Sequence, residues 1–519
     1  MSSKETWDPE IESLRARQEA ARQMGGAEKV RIQRSKGKLT VRERIDLLVD
    51  PGSFRELGSI AGSATYEPGG ELKQFVPSNF IFGRGRIGGR PVAVAGDDFT
   101  VRGGAADAAI PEKQIQAEQM ANELRLPLVR LIDGTGGGGS VKTLETNGFT
   151  YVPACPGWNW VVANLATVPV VSLGLGPVAG LGAARLVSSH YSVLVRGIGR
   201  MFAAGPALVS AAGRAVTTAE LGGAEVHARN GAVDDLAIDE AQALASARRF
   251  LSYLPASVYA LPERAPTQDP PDRCERWLDG AVPRDRRSTY KMRPILEAIV
   301  DRDSLFEIGR LWGGSIITAL ARLDGWPVAV IASDVTVCAG AWTAEASQKL
   351  TRFVELAETF HLPVVNFVDI PGLMIGVDAE KAGTVRHGSR ALATIYQATV
   401  PWCTVIIRKA FGVAGSGMAD HTRFRYRYAW PSGDWGSLPI EGGIEVAYRG
   451  QLDAAENRQA LLEELTERLN RVRSPFRTAE RFLIEEIIAP HETRPLLCEF
   501  ANLAGPLRTP ARAALSFRP

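Results

Sequence analysis

Two short turns in this chain have the composition that backbone-based catalysis requires. The tripeptides at 179–181 (Ala-Gly-Leu) and 411–413 (Phe-Gly-Val) each follow an apolar, β-branched run and precede a stretch that predicts a helix. The first N–H groups of a helix have no intrahelical acceptor and favour negative charge. Two such groups directed at one oxygen form an oxyanion hole, which stabilises an enolate or a tetrahedral oxyanion. An ordinary strand–turn–helix, with glycine needed only for its backbone geometry, is the alternative for either turn.

An internal repeat contains both turns and favours the catalytic interpretation. GRPVAVAGDDFTV at 89–101 and GWPVAVIASDVTV at 325–337 share eight of 13 residues. Asp133 and Asp369 keep the same spacing of 236 positions, whereas Gly180 and Gly412 lie 232 positions apart. Short repeat periods indicate solenoids, but a period of this length indicates two duplicated domains. The repeat therefore predicts a site that is formed twice, once in each half.

The elements that must position these turns follow an α/β order. Near-continuous apolar strand candidates alternate with helical stretches, which is typical of a sheet covered on both faces. The candidates are PVAVAG, PLVRLID, VPVVSLGLG and YSVLVRG in the first half, and PVAVIAS, LPVVNFVD and VPWCTVIIR in the second. Near the start, Thr40 and Glu43 have the spacing of a helix capping box. We expect an N-terminal domain at 1–265, a linker at 266–284 that continues a proline-rich stretch, and a C-terminal domain at 285–519.

Bulk composition excludes several classes of function. Sixty Lys and Arg residues against 58 Asp and Glu give a net charge of +2, too small to favour nucleic acid or an acidic membrane. The five cysteines form no C-x-x-C pair, so neither a zinc ribbon nor a disulfide framework is indicated. The N-terminal residues show no apolar signal segment. We expect a cytoplasmic protein that binds no metal.

Several longer stretches make the resemblance to a known family specific. They are GKLTVRERIDLLVDPGSF at 37–54, ELGGAEVHA at 220–228, FVDIPGLMIG at 367–376, VRHGSRAL at 385–392 and RKAFGVAGSGM at 408–418. With these, nearly the whole chain resembles the carboxyltransferase (β) subunits of biotin-dependent acyl-CoA carboxylases, such as propionyl-CoA and methylcrotonyl-CoA carboxylase. The resemblance implies a tandem of two crotonase-like domains.

The resemblance also implies a reaction and its participants. Carboxybiotin carried on a partner subunit loses CO2, the biotin enolate removes the acyl α-proton, and the thioester enolate attacks CO2 at the α or vinylogous carbon. Two oxyanion holes hold the thioester and ureido oxygens, so that no side-chain base is required. The implied partners are a biotin carboxylase and biotin carboxyl carrier subunit, together with further copies of this chain in a ring of six.

Site residues are carried over from the family by position. The resemblance implies that the amides of Gly180 and Leu181 form the first hole and those of Val413 and Ala414 the second. Three further residues are implied in substrate binding: Gly412, Gly372 in a turn on the biotin side, and Ser416 where the acyl group is selected. The loop at 134–140, GTGGGGS, departs from the family pattern and bears on the substrate.

Two other functions remain open from the sequence. The same two holes serve the opposite direction of reaction, in the carboxyltransferase component of an acyl-CoA decarboxylase or a transcarboxylase. A catalytically inactive assembly subunit is the other alternative. A crotonase-type hydratase is disfavoured because no acidic residue lies within several positions of Gly180 or Gly412.

Overall fold

A computed structural model describes residues 6–104, 109–134, 144–145, 148–150, 152–205, 209, 213, 216–419 and 426–519. Its contacts divide the chain into two compact units. The first comprises Met1–Ser252, Ala256–Tyr259 and Arg518–Pro519, and the second comprises Tyr253–Pro255 and Ala260–Phe517. The division that we expected at 265 and 285 remains a prediction about domain boundaries. The predicted linker at 266–284 lies within the second unit.

The first unit is built around one mixed sheet of seven strands. Its helices are α1 (Asp8–Arg22), α2 (Ala27–Ser35), α3 (Val41–Leu48), α4 (Pro111–Glu123), α5 (Trp158–Leu165), α6 (Leu181–Val187), α7 (Thr218–Gly222), α8 (Ala224–Arg229) and α9 (Glu240–Tyr253). Its strands are β1 (Arg55–Leu57), β2 (Gly62–Tyr66), β3 (Leu72–Pro77), β4 (Phe80–Ile87), β5 (Arg90–Asp97), β6 (Leu128–Ile132), β7 (Val170–Gly174), β8 (Pro177–Ala179), β9 (Tyr191–Val195), β10 (Arg200–Phe202) and β11 (Asp235–Ala237). The sheet order is β1-β4-β5-β6-β7-β9-β11, and the pairings from β5 onward are parallel.

The second unit repeats this plan. Its helices are α10 (Met292–Ile299), α11 (Ala344–Thr359), α12 (Val377–Lys381), α13 (Thr384–Gln397), α14 (Gly412–Ala419), α15 (Ile440–Ala447), α16 (Arg449–Ala454), α17 (Arg458–Asn470), α18 (Pro475–Ala479) and α19 (Thr493–Ala504). Its strands are β12 (Phe306–Ile308), β13 (Ile316–Leu323), β14 (Trp326–Ser333), β15 (Val364–Ile370), β16 (Trp402–Phe411), β17 (Tyr426–Ala429), β18 (Asp434–Gly436) and β19 (Glu486–Ile487). The main path runs β12-β13-β14-β15-β16-β17-β19, and β18 pairs with β16.

Both sheets place their parallel strands in the core, as the apolar runs predict. All five residues of β6 and all seven of β15 are buried, because helices or loops cover both faces of each strand. In each unit an antiparallel hairpin, β4–β5 or β13–β14, forms one side of the sheet, and parallel strands follow. The α/β prediction is therefore confirmed. The strand that leads to the Gly412 turn, β16, is an interior strand of its sheet, whereas β8, which leads to Gly180, pairs with β10 in a separate two-stranded sheet.

Candidate active site

The first turn connects β8 to α6 through Gly180. Its backbone is in the left-handed region, with φ +57°, and no heavy atom lies within 4 Å of the place where a Cβ would stand. The Gly180 amide donates to the carbonyl of Phe202 at 3.2 Å, which joins the turn to β10. No acceptor of the Leu181 amide is found among the described residues. Of the two predicted donors, Leu181 is thus the one with an unused N–H.

The second turn follows β16 directly and begins α14. Gly412 has φ +61°. Val413, in contrast, does not have a positive φ. The β-branched side chain is therefore placed in a helical backbone without strain, because the glycine before it takes the left-handed conformation. Within the described part of the chain, the amides of Val413 and Ala414 have no hydrogen-bond acceptor. Both predicted donors of the second hole are unused.

A pocket of about 800 Å³ opens beside the second turn. Gly412, Val413, Ser416 and Tyr396 are among the residues that line it. Val413 is 57% exposed. Arg427 also lines the pocket, but its guanidinium donates to Glu485 and to the carbonyls of residues 419 and 483. Its charge is therefore already paired.

Gly372 lies beside the end of β16. Its φ is +131°, and a Cβ there would stand 3.7 Å from the carbonyl oxygen of Phe411. The turn is held from the other side by Trp342, whose amide donates to the Gly372 carbonyl at 3.1 Å. The structure thus brings Gly372 together with the Gly412 turn. The Gly180 turn belongs to the first unit.

A buried carboxylate lies beneath the second turn. Asp369 is 0% exposed and accepts hydrogen bonds from Tyr290 Oη (2.8 Å), Arg408 Nε (2.9 Å) and the Lys409 amide (3.1 Å). Burial raises the pKa of Asp369, while the Arg408 guanidinium and the Tyr290 hydroxyl oppose that rise. Burial and the neighbouring carboxylate also raise the pKa of Tyr290, so that its hydroxyl stays protonated and donates.

The first unit has a matching carboxylate beneath its turn. Asp133 is 0% exposed and accepts from Lys38 Nζ at 2.6 Å, Arg44 Nη1 at 2.8 Å and Gln33 Nε2 at 3.2 Å. Burial lowers the pKa of Lys38, and the charge of Asp133 counteracts that effect. Arg44 is also buried and forms a second ion pair with Glu240, at 2.6 Å.

These two networks were not predicted as parts of the site. The repeat at 236 positions singles out Asp133 and Asp369, but it does not identify their partners. In the sequence, Lys38 is one of several basic residues between positions 29 and 38, and that local pattern does not indicate a buried ion pair. The structure instead buries it against a carboxylate 95 residues away.

Other polar residues that could act in catalysis either have hydrogen-bond partners within their own turns or lie outside the described residues. Asp98 and Asp334 each accept hydrogen bonds within their own turns, from Thr100 and Thr336. Among the described residues, no group of three His, Cys, Asp or Glu side chains could hold a metal ion. His421 and residues 135–140 of the glycine-rich loop lie outside the described residues. In the part of the chain that is described, no helix is long and apolar enough to cross a bilayer.

Comparisons with known proteins agree with this architecture. The carboxyl transferase domain family matches residues 32–509. The carboxyltransferase subunit of propionyl-CoA carboxylase from Haloferax mediterranei is 33% identical over 493 residues, covering 94% of this chain and 95% of that protein. The alpha subunit of methylmalonyl-CoA decarboxylase from Veillonella parvula is 30% identical over 497 residues, with 94% of each protein covered.

A solved structure extends the likeness to three dimensions. The transcarboxylase 12S hexamer with methylmalonyl-coenzyme A and methylmalonic acid bound superposes with a TM-score of 0.86 at 29% identity, covering 99% of this chain and 98% of that one. The duplicated sheets and this likeness thus identify a crotonase-like carboxyltransferase. The chain belongs to the carboxyl transferase domain family and is an enzyme of the type found in biotin-dependent acyl-CoA carboxylases.

Proposed function

We propose that the chain is the carboxyltransferase subunit of a biotin-dependent acyl-CoA carboxylase. It transfers the carboxyl group of carboxybiotin to the α or vinylogous carbon of an acyl-CoA. The observation that carries the proposal is the pair of helix-initiating turns at Gly180 and Gly412, with a left-handed glycine in each and unused N–H groups directly after it. The relatives named as carboxylase subunits support the reaction class.

The residues at the second turn fit the biotin ureido group. A ureido oxygen needs hydrogen-bond donors, and the Val413 and Ala414 amides have no other acceptor among the described residues. The adjacent pocket is lined mainly by apolar side chains, with Trp435 and Tyr396 among them, which suits a fused bicyclic ring. When bound there, carboxybiotin supplies the CO2 and a proton acceptor. We assign Gly372 to the wall of this site.

The backbone of the first turn is suited to the thioester. The Leu181 amide donates to the thioester oxygen and stabilises the negative charge that develops on that oxygen when the α-proton leaves. The Gly180 amide contributes by sharing its N–H with the Phe202 carbonyl, to which it already donates. Ser416, exposed in the pocket, contacts the acyl group and restricts which acyl chains react.

Partners follow from what the reaction requires. We propose that carboxybiotin arrives on a biotin carboxyl carrier, made from ATP and bicarbonate by a biotin carboxylase subunit. We also propose that the chain forms a homo-oligomer, with six copies as the expected number. The transcarboxylase neighbour, described as a hexamer, supports that number. Analytical ultracentrifugation of the purified chain measures it directly.

The test of the proposed function is carboxyl fixation. The purified chain, mixed with its biotin-carrying and biotin carboxylase partners, ATP and labelled bicarbonate, is offered a panel of acyl-CoAs. We expect label to enter at least one acyl-CoA in an ATP-dependent and avidin-sensitive manner. Absence of label from the whole panel, with a partner that is biotinylated and hydrolyses ATP, would reject the carboxylase direction.

The opposite direction is the second candidate. Its support is the 30% identity to the alpha subunit of methylmalonyl-CoA decarboxylase and the likeness to transcarboxylase 12S. In this direction a carboxyacyl-CoA donates its carboxyl group to biotin, and the same two turns bind the same two oxygens. Transfer of label from a carboxyacyl-CoA to free biotin, without ATP, measures it. If the chain works in the decarboxylase direction, we expect this transfer to be faster than ATP-dependent fixation, and if it works in the carboxylase direction, we expect it to be slower.

A further inference from the structure

The pairing of β15 with β16 is irregular at Asp369. Val368 lies opposite Ile406, but Ile370 lies opposite Ala410, so that β16 has extra residues at this point. Such a bulge leaves backbone groups of the longer strand without ladder partners. The Asp369 carboxylate accepts a hydrogen bond from the Lys409 amide at 3.1 Å. It thereby takes the place of a carbonyl acceptor on the neighbouring strand.

The two strand ends that Asp369 connects both lead to site turns. Gly372 follows Asp369 by three positions, and Gly412 follows Lys409 by three. A Cβ at Gly372 would stand 3.7 Å from the Phe411 carbonyl oxygen, which is van der Waals distance. The bulge therefore sets where the Gly412 turn begins relative to Gly372, and the hydrogen bond to the Lys409 amide holds the bulge.

A buried carboxylate can serve this purpose only if its charge is compensated. Arg408 supplies the compensation, since its Nε lies 2.9 Å from Asp369 Oδ2 and its own side chain is 3% exposed. The Arg408 Nη1 also donates to the Ser288 carbonyl at 2.9 Å. Removing one partner of such a pair leaves an uncompensated charge, so both are needed together.

The first unit keeps the buried carboxylate but pairs it with a different cation. It has no equivalent of the hydrogen bond from the Lys409 amide, because Pro177 stands 232 positions before Lys409 and has no N–H. Gly176 stands 232 positions before Arg408, and a Cβ at Gly176 would clash with the carboxylate of Asp133. Lys38, from the segment before α3, fills this space and pairs with Asp133 instead. Arg44 connects the carboxylate to the chain before the first turn, by donating from Nη2 to the Leu175 carbonyl at 3.2 Å.

The recurrence separates this feature from ordinary core packing. The carboxylate occupies the same place in both halves, while its cation comes from the strand itself in one and from an N-terminal segment in the other. We propose that Asp369 and Asp133 are positioning residues, each of which fixes the backbone of the oxyanion-hole turn in its own half. The inference rests on the proposed function, because it assigns the Gly412 turn to biotin and the Gly180 turn to the acyl-CoA.

The proposal predicts a crossed pattern of kinetic defects. In transfer from a carboxyacyl-CoA to free biotin, Asp369→Asn raises the KM for biotin about 10- to 100-fold, and Asp133→Asn raises the KM for the CoA ester by a similar factor. Each variant leaves the KM of the other substrate within about twofold. Tyr290→Phe, which removes only one hydrogen bond to Asp369, gives a smaller rise in the biotin KM alone.

Asp301→Asn is the matched control. Asp301 is buried, pairs with Arg494 at 3.0 Å and accepts from two backbone amides, but it lies away from both turns in the sequence. We expect this variant to lose stability as Asp369→Asn does, without a change in either KM. A rise in both KM values for all three Asp→Asn variants would overturn the positioning role and indicate general destabilisation.

Hydrogen exchange tests the same proposal without any activity. Asp369→Asn speeds amide exchange in the peptide covering residues 409–414 and leaves the peptide covering 175–182 as in the parent chain. Asp133→Asn speeds exchange in the peptide covering 175–182 and leaves the peptide covering 409–414 as in the parent chain. Unchanged exchange at the adjacent turn would overturn the proposal even in an active enzyme. A parent chain that transfers no carboxyl group would instead count against the proposed function, and the exchange pattern would still decide the positioning role.

Discussion

Gly180 and Gly412 are the residues whose backbone conformation bears most directly on the proposed chemistry. Both have φ near +60°, and neither is crowded, since the nearest atom to a Cβ at Gly412 is the Ser437 carbonyl oxygen at 3.6 Å. A side chain at either position is therefore disfavoured by its own backbone rather than by neighbouring atoms. Relief of that strain would rotate the peptide that follows the glycine, and that peptide carries the N–H of Leu181 or Val413.

The first prediction concerns substitution of these glycines. Gly180→Ala and Gly412→Ala each place an alanine at positive φ, at a cost of about 1–3 kcal/mol in stability. Because the following amide turns away from the substrate oxygen, we expect carboxyl transfer to fall by about 100-fold or more, the usual effect of losing one oxyanion-hole donor. The carboxyl fixation assay, with unfolding followed in parallel, measures both quantities.

Gly450 provides a control for those substitutions. It lies in α16, without positive φ and with no atom within 4 Å of a Cβ position. Gly450→Ala should raise helix stability by up to about 1 kcal/mol and leave transfer unchanged. Full activity in both Gly180→Ala and Gly412→Ala would show that the turns do not bind the reacting oxygens.

At the scale of elements, α3 positions the ion pairs beneath the first turn. Thr40 caps this helix: its Oγ1 accepts from the Glu43 amide at 3.3 Å, and Glu43 Oε2 accepts from the Thr40 amide at 2.7 Å. The predicted capping box is therefore confirmed. The helix carries Arg44 into the core, where it pairs with Asp133 and Glu240.

The second prediction follows from this cap. Thr40→Ala removes the acceptor for the Glu43 amide and should lower the free energy of unfolding by about 1 kcal/mol. Thr40→Ser keeps the hydroxyl and should retain most of the stability. Urea unfolding of the two variants measures the difference. Equal stability of the alanine and serine variants would show that the hydroxyl contributes nothing to the helix.

Much of the element order could be predicted from the sequence. Apolar runs such as PVAVIAS and LPVVNFVD became β14 and β15, because buried parallel strands need apolar side chains on both faces. The glycine turns were predictable because left-handed backbone nearly requires glycine. The ion pairs of Asp133 and Asp369 were not, because their partners are distant in sequence and no local pattern identifies them.

At the scale of the whole molecule, the segment predicted as a linker is tied to the second unit by charge. Asp269 accepts from Arg273 Nε at 2.8 Å and from the Arg302 amide at 2.9 Å, and its carboxylate lies 3.4 Å from Arg494 Nη2. Its side chain is 6% exposed. The prolines of this stretch predict extended backbone, but they cannot reveal that a carboxylate between them meets three arginines.

The third prediction is a pH dependence that arises from Asp269. Burial alone would raise its pKa, but the hydrogen bond from Arg273 and the nearby charges lower it below the ordinary value. A lowered pKa in the folded state stabilises the fold above the unfolded pKa of about 3.9. That contribution is lost as pH falls through the folded pKa. We therefore expect the stability difference between the parent chain and Asp269→Asn to be constant near neutral pH and to shrink below about pH 4.

Thermal unfolding across that pH range measures the effect. The parent chain should unfold at a higher temperature than Asp269→Asn at pH 7, and the two curves should converge in acid. Asp272→Asn, in the same segment, is the control, because that side chain is exposed. A difference that stays constant into acid would show that the Asp269 charge does not hold this segment.

The most direct test of the account is transfer of a labelled carboxyl group from carboxyacyl-CoAs to free biotin by the purified chain alone. It requires both turns and no partner subunit. We predict transfer from at least one CoA ester, lost by about 100-fold or more in Gly180→Ala and in Gly412→Ala but retained in Gly450→Ala. Absence of transfer across the panel in a folded, assembled protein, or transfer that neither glycine substitution affects, would contradict a carboxyltransferase built on two backbone oxyanion holes.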